Sequence, residues 1–378
     1  MARLLRALPD GLAVVVVDDG SGDAATTAAP TRRRGATLVR HETPQGPAAA
    51  RNAGLRRVGT PLVVFVDSDV VPEPDWLQTL LVQTVDPALA AVAPRVLGLG
   101  PDAGDGWLAR YERLHSSLDL GPEPARVVPR GRVSYVPTAC LLARVEALGA
   151  GFDEQLAVAE DVDLVWRLHA AGWRVRYCSA AVVRHEHRVA LRGWLVRKAF
   201  YGTGAAAVGT RHGRAVAPVA MPPWAAATCA AALVQRGWAL PVVAAAPVVA
   251  VVRLSTRLGG LDHPWRTAAR LVPAGLGGAV RQCAGALTRH WWPATAAGAL
   301  VSRRVRRAAL AAAVLGGLDD WRRSRPTLDP VRFVAARRLD DLAYGAGVWW
   351  GAWRDRDPRA LLPDLSGRAA PTRTGRAE

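Results

Sequence analysis

The sequence predicts an α/β fold built on a mainly parallel sheet, followed by a helical region that associates with a membrane. Two observations carry the first half of that expectation. Up to about residue 190 short apolar runs alternate with helical stretches. Two of the runs, Val14 to Val17 and Leu62 to Val66, are unbroken, the signature of strands covered on both faces. A third observation carries the second half: Ala215 to Val234 and Trp238 to Val252 are apolar over roughly 15–20 residues each, near the lower limit for crossing a bilayer.

The elements follow in order. The first strand runs into Asp18-Asp19-Gly20-Ser21, and a second, ATLVRHE, ends in Glu42. The spacing Gly20-x-Gly22-x-x-Ala25, with an acid about 20 residues further on, matches a dinucleotide-binding unit and raises the alternative of a nicotinamide-dependent dehydrogenase. Pro47 to Arg57 reads as a helix opened by Gly46 and a proline at its first position, with an alanine patch suited to close packing on a sheet. The Leu62–Val66 strand ends in Asp67-Ser68-Asp69. A helix from about Glu160 to Ala171 places Leu164, Val165 and Leu168 on one face and stops at Gly172. WRVRYCSAAVV then alternates as a strand and leads to His185.

Beyond these elements the chain divides into 1–190, a catalytic α/β domain; 191–260, a helical, membrane-associated hairpin; and 261–378, an Arg-rich helical region with a disordered tail from about Ser366. Arg211, Arg214, Arg253 and Arg257 crowd the outer ends of the hairpin while Arg236 alone sits at its turn, which leaves both ends on the cytoplasmic face. Pro218, Pro222, Pro223, Pro241 and Pro247 fit lipid better than a soluble helix.

Composition narrows the partners. The formal net charge of +17 over 378 residues is almost all arginine, Lys198 being the one lysine. With no zinc module and no aromatic-flanked basic strands, no nucleic-acid partner is expected, whereas an anionic membrane surface suits the Arg clusters. Cys140, Cys178, Cys229 and Cys283 are scattered without metal-ligand spacing, as in a reducing compartment, and MARLLRALPDG has no apolar core long enough for a signal peptide, so export is not expected.

Carboxylates decide between the dehydrogenase and another reading. Ligands bind beyond the carboxyl ends of strands in an open α/β sheet. Both buried runs end there in paired acids, Asp18-Asp19 and Asp67-x-Asp69. Acids at that edge repel a pyrophosphate but suit a divalent cation, since Mg²⁺ and Mn²⁺ take carboxylates together with substrate phosphates. The bland alternatives are that Asp67 caps the following helix PEPDWLQTLL, and that Asp161 sits in a first helical turn because the dipole favours it there.

These motifs, in the order Asp18-Asp19-Gly20-Ser21, Ala50-Arg51-Asn52-Ala53-Gly54, Asp67-Ser68-Asp69 and Gly151-Phe152-Asp153-Glu154 leading to Glu160-Asp161, resemble family 2 of the inverting GT-A glycosyltransferases over about residues 1 to 190. The resemblance implies that Asp19 contacts the base of a UDP-sugar, that Arg51 lies near the nucleotide, and that Asp67 reaches ribose or metal. It implies further that Asp69 binds Mg²⁺ or Mn²⁺, that His185 completes the metal site with His187 the weaker neighbour, and that Asp161 is the catalytic base. Glu160 is equally placed for that last part. Inverting transfer needs a carboxylate to take the acceptor's proton and a cation for the departing diphosphate.

WLVRKAFYGTGAAAVGTRHGR, the Pro- and Ala-rich hairpin and DDLAYGAGVWWGAWR resemble a narrower family, the glycosyltransferases of mycofactocin biosynthesis. That resemblance implies glucose transfer from UDP-glucose to a peptide-derived redox-cofactor precursor. Transfer to a cell-wall polysaccharide or a lipid-linked sugar, rhamnosyl or mannosyl, is the family's alternative. Trp194, Arg197 and Tyr201 are candidates for an acceptor site or for a membrane-surface face. The family's first strand precedes Leu4 to Leu8, so an N-terminally truncated sheet is expected, traced to a mis-assigned start.

Overall fold

A computed structural model describes residues 1–100, 106–186, 190–325 and 327–367. The chain forms two compact units, Met1–Leu191 and, from Arg192 on, a helical second unit. His187 and most of the expected disordered tail lie outside the described residues.

The first unit is mixed α/β. Its elements are α1 (Ala2–Ala7), β1 (Val15–Asp19), α2 (Ala24–Arg34), β2 (Thr37–His41), α3 (Pro47–Leu55), β3 (Leu62–Val66), β4 (Val70–Pro72), α4 (Trp76–Leu81), β5 (Leu89–Gly98), α5 (Trp107–His115), β6 (Ala125–Arg126), β7 (Cys140–Arg144), α6 (Val145–Leu148), α7 (Glu160–Ala170) and β8 (Arg174–His185). Asp23 caps α2 by accepting the Ala25 N–H at 3.0 Å, and Gly35 ends it in a left-handed turn.

The sheet is not mainly parallel. β1 and β2 pair in parallel as a two-stranded sheet of their own. The larger sheet runs β3-β7-β5-β8-β4, with β6 also against β8. Of its pairings only β5 with β8 is parallel, and the other four are antiparallel. The expectation failed because an apolar run reports burial on both faces and carries no direction. β7 starts beside the carboxyl end of β3, Cys140 opposite Val66, with the Asp67 N–H donating to the Ala139 carbonyl at 2.9 Å.

Two features of this sheet place the site. The β5–β8 register slips at Pro94, which lacks an N–H for the ladder; Pro94 faces Cys178 while Arg95 already faces Val182. β8 therefore bulges and continues as far as His185, opposite Val70 of β4. Beneath it, α4 buries Trp76 and Leu80 against Val92, Val96, Leu142 and Val183, the centre of the core.

The second unit, described separately, contains α8 (Leu191–His212), α9 (Pro223–Val234), α10 (Leu240–Arg257), α11 (Pro264–Gly285), α12 (Trp292–Val301), α13 (Arg303–Ser324) and α14 (Pro330–Arg354). α8 and α14 cross backbone to backbone. A methyl on Gly347 would overlap the Ala199 carbonyl oxygen, and one on Gly202 would overlap that of Tyr344. Beside the crossing, the buried Lys198 ammonium meets Asp340 at 3.2 Å, and Arg289 reaches Asp341 at 3.0 Å. The conspicuous segments WLVRKAFYGTG and DDLAYGAG are thus the two halves of one helix contact.

The two apolar stretches differ. With Pro218 and Pro222 holding the backbone out of helix and Pro223 opening α9, the first contributes only the 12 residues of α9, about 18 Å against a hydrocarbon core of about 30 Å. Gly237–Arg257 is the one stretch among the described residues long and apolar enough to cross a membrane. Trp194 is buried with Lys198 over its ring, so the expectation that it shapes an acceptor site or a membrane face is corrected.

Candidate active site

At the carboxyl end of β1 the two adjacent acids have different surroundings. Asp18, 4 % exposed, accepts the Ser21 N–H at 2.9 Å and pairs with Arg40, which also donates to the Ser21 carbonyl. Burial works to raise its pKa, but these partners hold it below the ordinary value. Asp18 therefore builds the turn. Gly20 (φ +72°) lies against the next loop, where a Cβ would come within 2.6 Å of the Pro44 nitrogen. The first glycine of the dinucleotide-like spacing serves this close approach, and the Ser21 N–H that a pyrophosphate would need is already bonded to a carboxylate.

Asp19 faces the start of α3. Its oxygens accept from the backbone N–H groups of Gln45 and Gly46 at 2.9 and 2.8 Å, and Oδ1 shares a 2.7 Å hydrogen bond with His41 Nδ1. Burial again opposes ionisation, and the His41 and backbone hydrogen bonds outweigh it. The carboxylate stays charged at neutral pH.

α3 carries the next motif, and each residue has a distinct task. Asn52 is buried and clamps the loop before α7: Nδ2 donates to the Phe152 carbonyl and to Glu154, each at 2.8 Å, while Oδ1 accepts the Phe152 N–H at 2.9 Å. Phe152 packs edge-on against Phe65 of β3, ring centroids 5.2 Å apart. Arg51 donates to Asp67 Oδ1 at 2.9 Å and to Glu160 Oε1 at 2.6 Å, its guanidinium 5.5 Å from the centre of the Phe152 ring. Asp67 thus answers Arg51 and does not cap α4, whose N-cap is Asp75.

Asp69 follows on the short link to β4. Its Oδ2 lies 3.4 Å from Nε2 of His185, and its carbonyl accepts the Glu186 N–H at 3.0 Å. The β4–β8 register brings the two side chains together, Val70 being opposite His185.

α7 opens on Glu160 and Asp161 after Ala159, which sits in the left-handed region at φ +66°. Glu160 is the partner of Arg51. Asp161 accepts its neighbour's N–H, from Val162, at 2.8 Å. Burial first, and then the Glu160 charge, push its pKa up to about 7, against the lowering effect of backbone N–H groups and Arg51. A carboxylate there exchanges a proton near neutrality, as a general base requires. Asp163, two residues on, is buried against Arg167 at 2.7 Å, and Arg167 also donates to the Gly151 carbonyl at 2.8 Å.

Known proteins bear on this arrangement. A model of glycosyl transferase family 2 matches residues 1–149. The pre-mycofactocin glycosyltransferase of Mycobacterium tuberculosis is 42 % identical over 384 aligned residues, covering 97 % of this chain and 79 % of that protein. The chain belongs to glycosyltransferase family 2. It is also similar to succinoglycan biosynthesis protein ExoU of Rhizobium meliloti, 31 % identical over 188 residues, 47 % of this chain and 55 % of that one. Among solved structures, the mannosyltransferase PcManGT of Pyrobaculum calidifontis, in complex with GDP-Man and Mn2+, superposes at a TM-score of 0.41 with 22 % identity, covering 71 % of this chain and 77 % of that one.

As a family 2 glycosyltransferase the chain has a GT-A-like first unit. In that unit α3 links two of the expected positions directly, Asp19 through Gly46 and Asp67 through Arg51, while Asp69 and His185 meet at the β4–β8 pairing. Sequence reading missed two supporting residues and one pairing. His41 and Arg40 lie directly across the β1–β2 pair from Asp19 and Asp18, a signal that parallel pairing of the two runs would have supplied. Glu160 as the Arg51 partner is 109 residues away and leaves no local trace.

Proposed function

We propose that this chain is a metal-dependent, inverting hexosyltransferase that moves glucose from UDP-glucose onto the peptide-derived precursor of mycofactocin. The observation that carries the mechanism is the pairing of roles in the two adjacent acids of α7: Glu160 is tied to Arg51, while the Asp161 carboxyl sits near 7. In inverting transfer Asp161 takes the proton of the acceptor hydroxyl as that oxygen attacks the anomeric carbon from the face opposite the leaving diphosphate. Asp19 and Asp67 are assigned to the nucleoside, with Arg51 behind Asp67.

Asp69 and His185 are assigned to the divalent cation. Donor atoms 3.4 Å apart are close to the spacing of about 3 Å between neighbouring ligands on an ion with bonds of about 2.1 Å. Two protein ligands leave positions for water and diphosphate oxygens, and the imidazole favours Mn²⁺ over Mg²⁺. When bound, the cation supplies charge stabilisation for the departing UDP.

We place the enzyme at the cytoplasmic face of the membrane. Gly237–Arg257 supports this, with Trp238, Leu240 and Val248 exposed and Arg253 and Arg257 at its end. Flotation of the protein with anionic vesicles, and its loss on replacing Trp238 and Leu240 with serine, tests the placement.

The activity is tested by UDP release from UDP-glucose in the presence of the mycofactocin precursor and Mn²⁺. Release that needs both, and is abolished in Asp161→Asn, supports the proposal. Transfer to a polysaccharide or lipid acceptor but not to the precursor would replace the acceptor assignment, and metal-free binding of NAD(H) would overturn the mechanism.

A further inference from the structure

Arg51 sits at the middle of α3 with its side chain 13 % exposed, and its two terminal nitrogens serve acids from different parts of the chain. Asp67 ends the β3 segment assigned to the donor; Glu160 opens α7 beside Asp161. A guanidinium is planar and rigid, so an arginine that bridges two carboxylates sets their separation and their common plane. The Phe152 ring lies over that group, and Phe152 is itself held by Asn52 one residue along α3.

Resting on the transferase reading above, we infer that Arg51 is a positioning residue: it holds the start of α7 at a fixed distance from the donor strand, and it engages Glu160 so that Asp161 alone accepts the acceptor's proton. Without it, two adjacent carboxylates at the start of one helix would share their protons and titrate as a pair. Other charged groups on the surrounding elements have partners elsewhere, while His169, near the end of α7, feels the Arg126 charge. On α7, Asp163 meets Arg167; on β8, Arg174 and Arg176 meet Asp86; on α6, Glu146 meets Arg144; in the preceding loop, Glu154 accepts from Asn52. The charges that act on Asp161 are Glu160, which raises its pKa, and Arg51, which lowers it.

The test uses the full-length protein with UDP-glucose and compares Arg51→Met, Arg51→Lys, Glu160→Gln and the double variant Arg51→Met/Glu160→Gln. Arg51→Met is expected to lower kcat about 100-fold with little change in donor KM. It should also move the acid limb of the kcat–pH profile up by about one pH unit, because the cation that opposes Glu160 is gone. The double variant removes both charges; the limb should return to its wild-type position and kcat should recover in part. Arg51→Lys keeps the charge but not the bridge, so the limb stays while kcat remains low. A residue that only supports the fold would move neither limb nor rescue.

Thermal unfolding against pH follows the Asp161 titration without turnover, and the same upward displacement is expected for Arg51→Met. No displacement in either readout, or a rise confined to donor KM, overturns the inference. If the wild type transfers no sugar but Arg51→Met still shows the displacement in unfolding, the proposed function is contradicted and the Arg51 assignment stands.

Discussion

Replacing Asp161 with asparagine is expected to abolish sugar transfer and, at alkaline pH, to stabilise the protein. Burial and the Glu160 charge push the Asp161 carboxyl from 3.8 up to about 7. Between those values the folded state keeps a proton that the unfolded chain has lost, so stability falls as the pH rises through that window. At one pH unit per about 1.4 kcal/mol, the cost of carrying the ionised form at pH 8 is at most about 4 kcal/mol. The side chain is only partly buried by exposed area, and solvent screening brings a reasonable expectation to about 2 kcal/mol. Asparagine keeps an oxygen for the Val162 N–H and carries no charge. Urea unfolding should therefore find Asp161→Asn more stable than wild type by about 2 kcal/mol at pH 8, with the gap closing towards pH 4. A variant less stable at pH 8, or a difference that does not vary with pH, would refute the reasoning.

Three further outcomes follow from the same contacts. Asn52→Ala strands the buried Phe152 N–H and carbonyl at about 1–3 kcal/mol each, offset slightly by alanine's helix propensity; a loss of about 3 kcal/mol in urea unfolding is expected, with activity falling in the fraction that remains folded. Gly347→Ala forces α14 from α8 and should cost at least about 2 kcal/mol in thermal unfolding of the second unit, while a similar change at the exposed Trp353 costs little. Asp69→Asn and His185→Ala should each raise the Mn²⁺ concentration for half-maximal UDP release by about 10-fold or more, measured by metal titration, with unfolding little changed.

Much of the site was legible because its residues fall at element ends. The strand ends at Asp19 and Asp67, and the helix starts at Pro47 and Glu160, lie where the apolar runs and the glycine and proline signals place them. Asp18 and Asp19 were read together as ligand-facing acids, yet successive strand residues point to opposite faces, and Asp18 turns inward to Arg40. Glu160 and Asp161 are likewise neighbours in sequence that the helix turns about 100° apart, and it is Glu160 that meets Arg51. Strand direction was beyond reach, since the apolar run Leu62 to Val66 reads the same whichever way β7 runs. The segments WLVRKAFYGTG and DDLAYGAG stood out without an explanation because a helix crossing needs both partners in view; their glycines are spaced for backbone contact.

The most direct measurement is the anomeric configuration of the product, read by NMR after incubating the full-length protein with UDP-α-glucose, Mn²⁺ and the mycofactocin precursor. A single attack by an acceptor oxygen deprotonated at Asp161 predicts a β-linked glucoside, absent when Asp161→Asn is used. An α-linked product, or an undiminished β-product from Asp161→Asn, would contradict the assignment of Asp161 as the base of an inverting transfer.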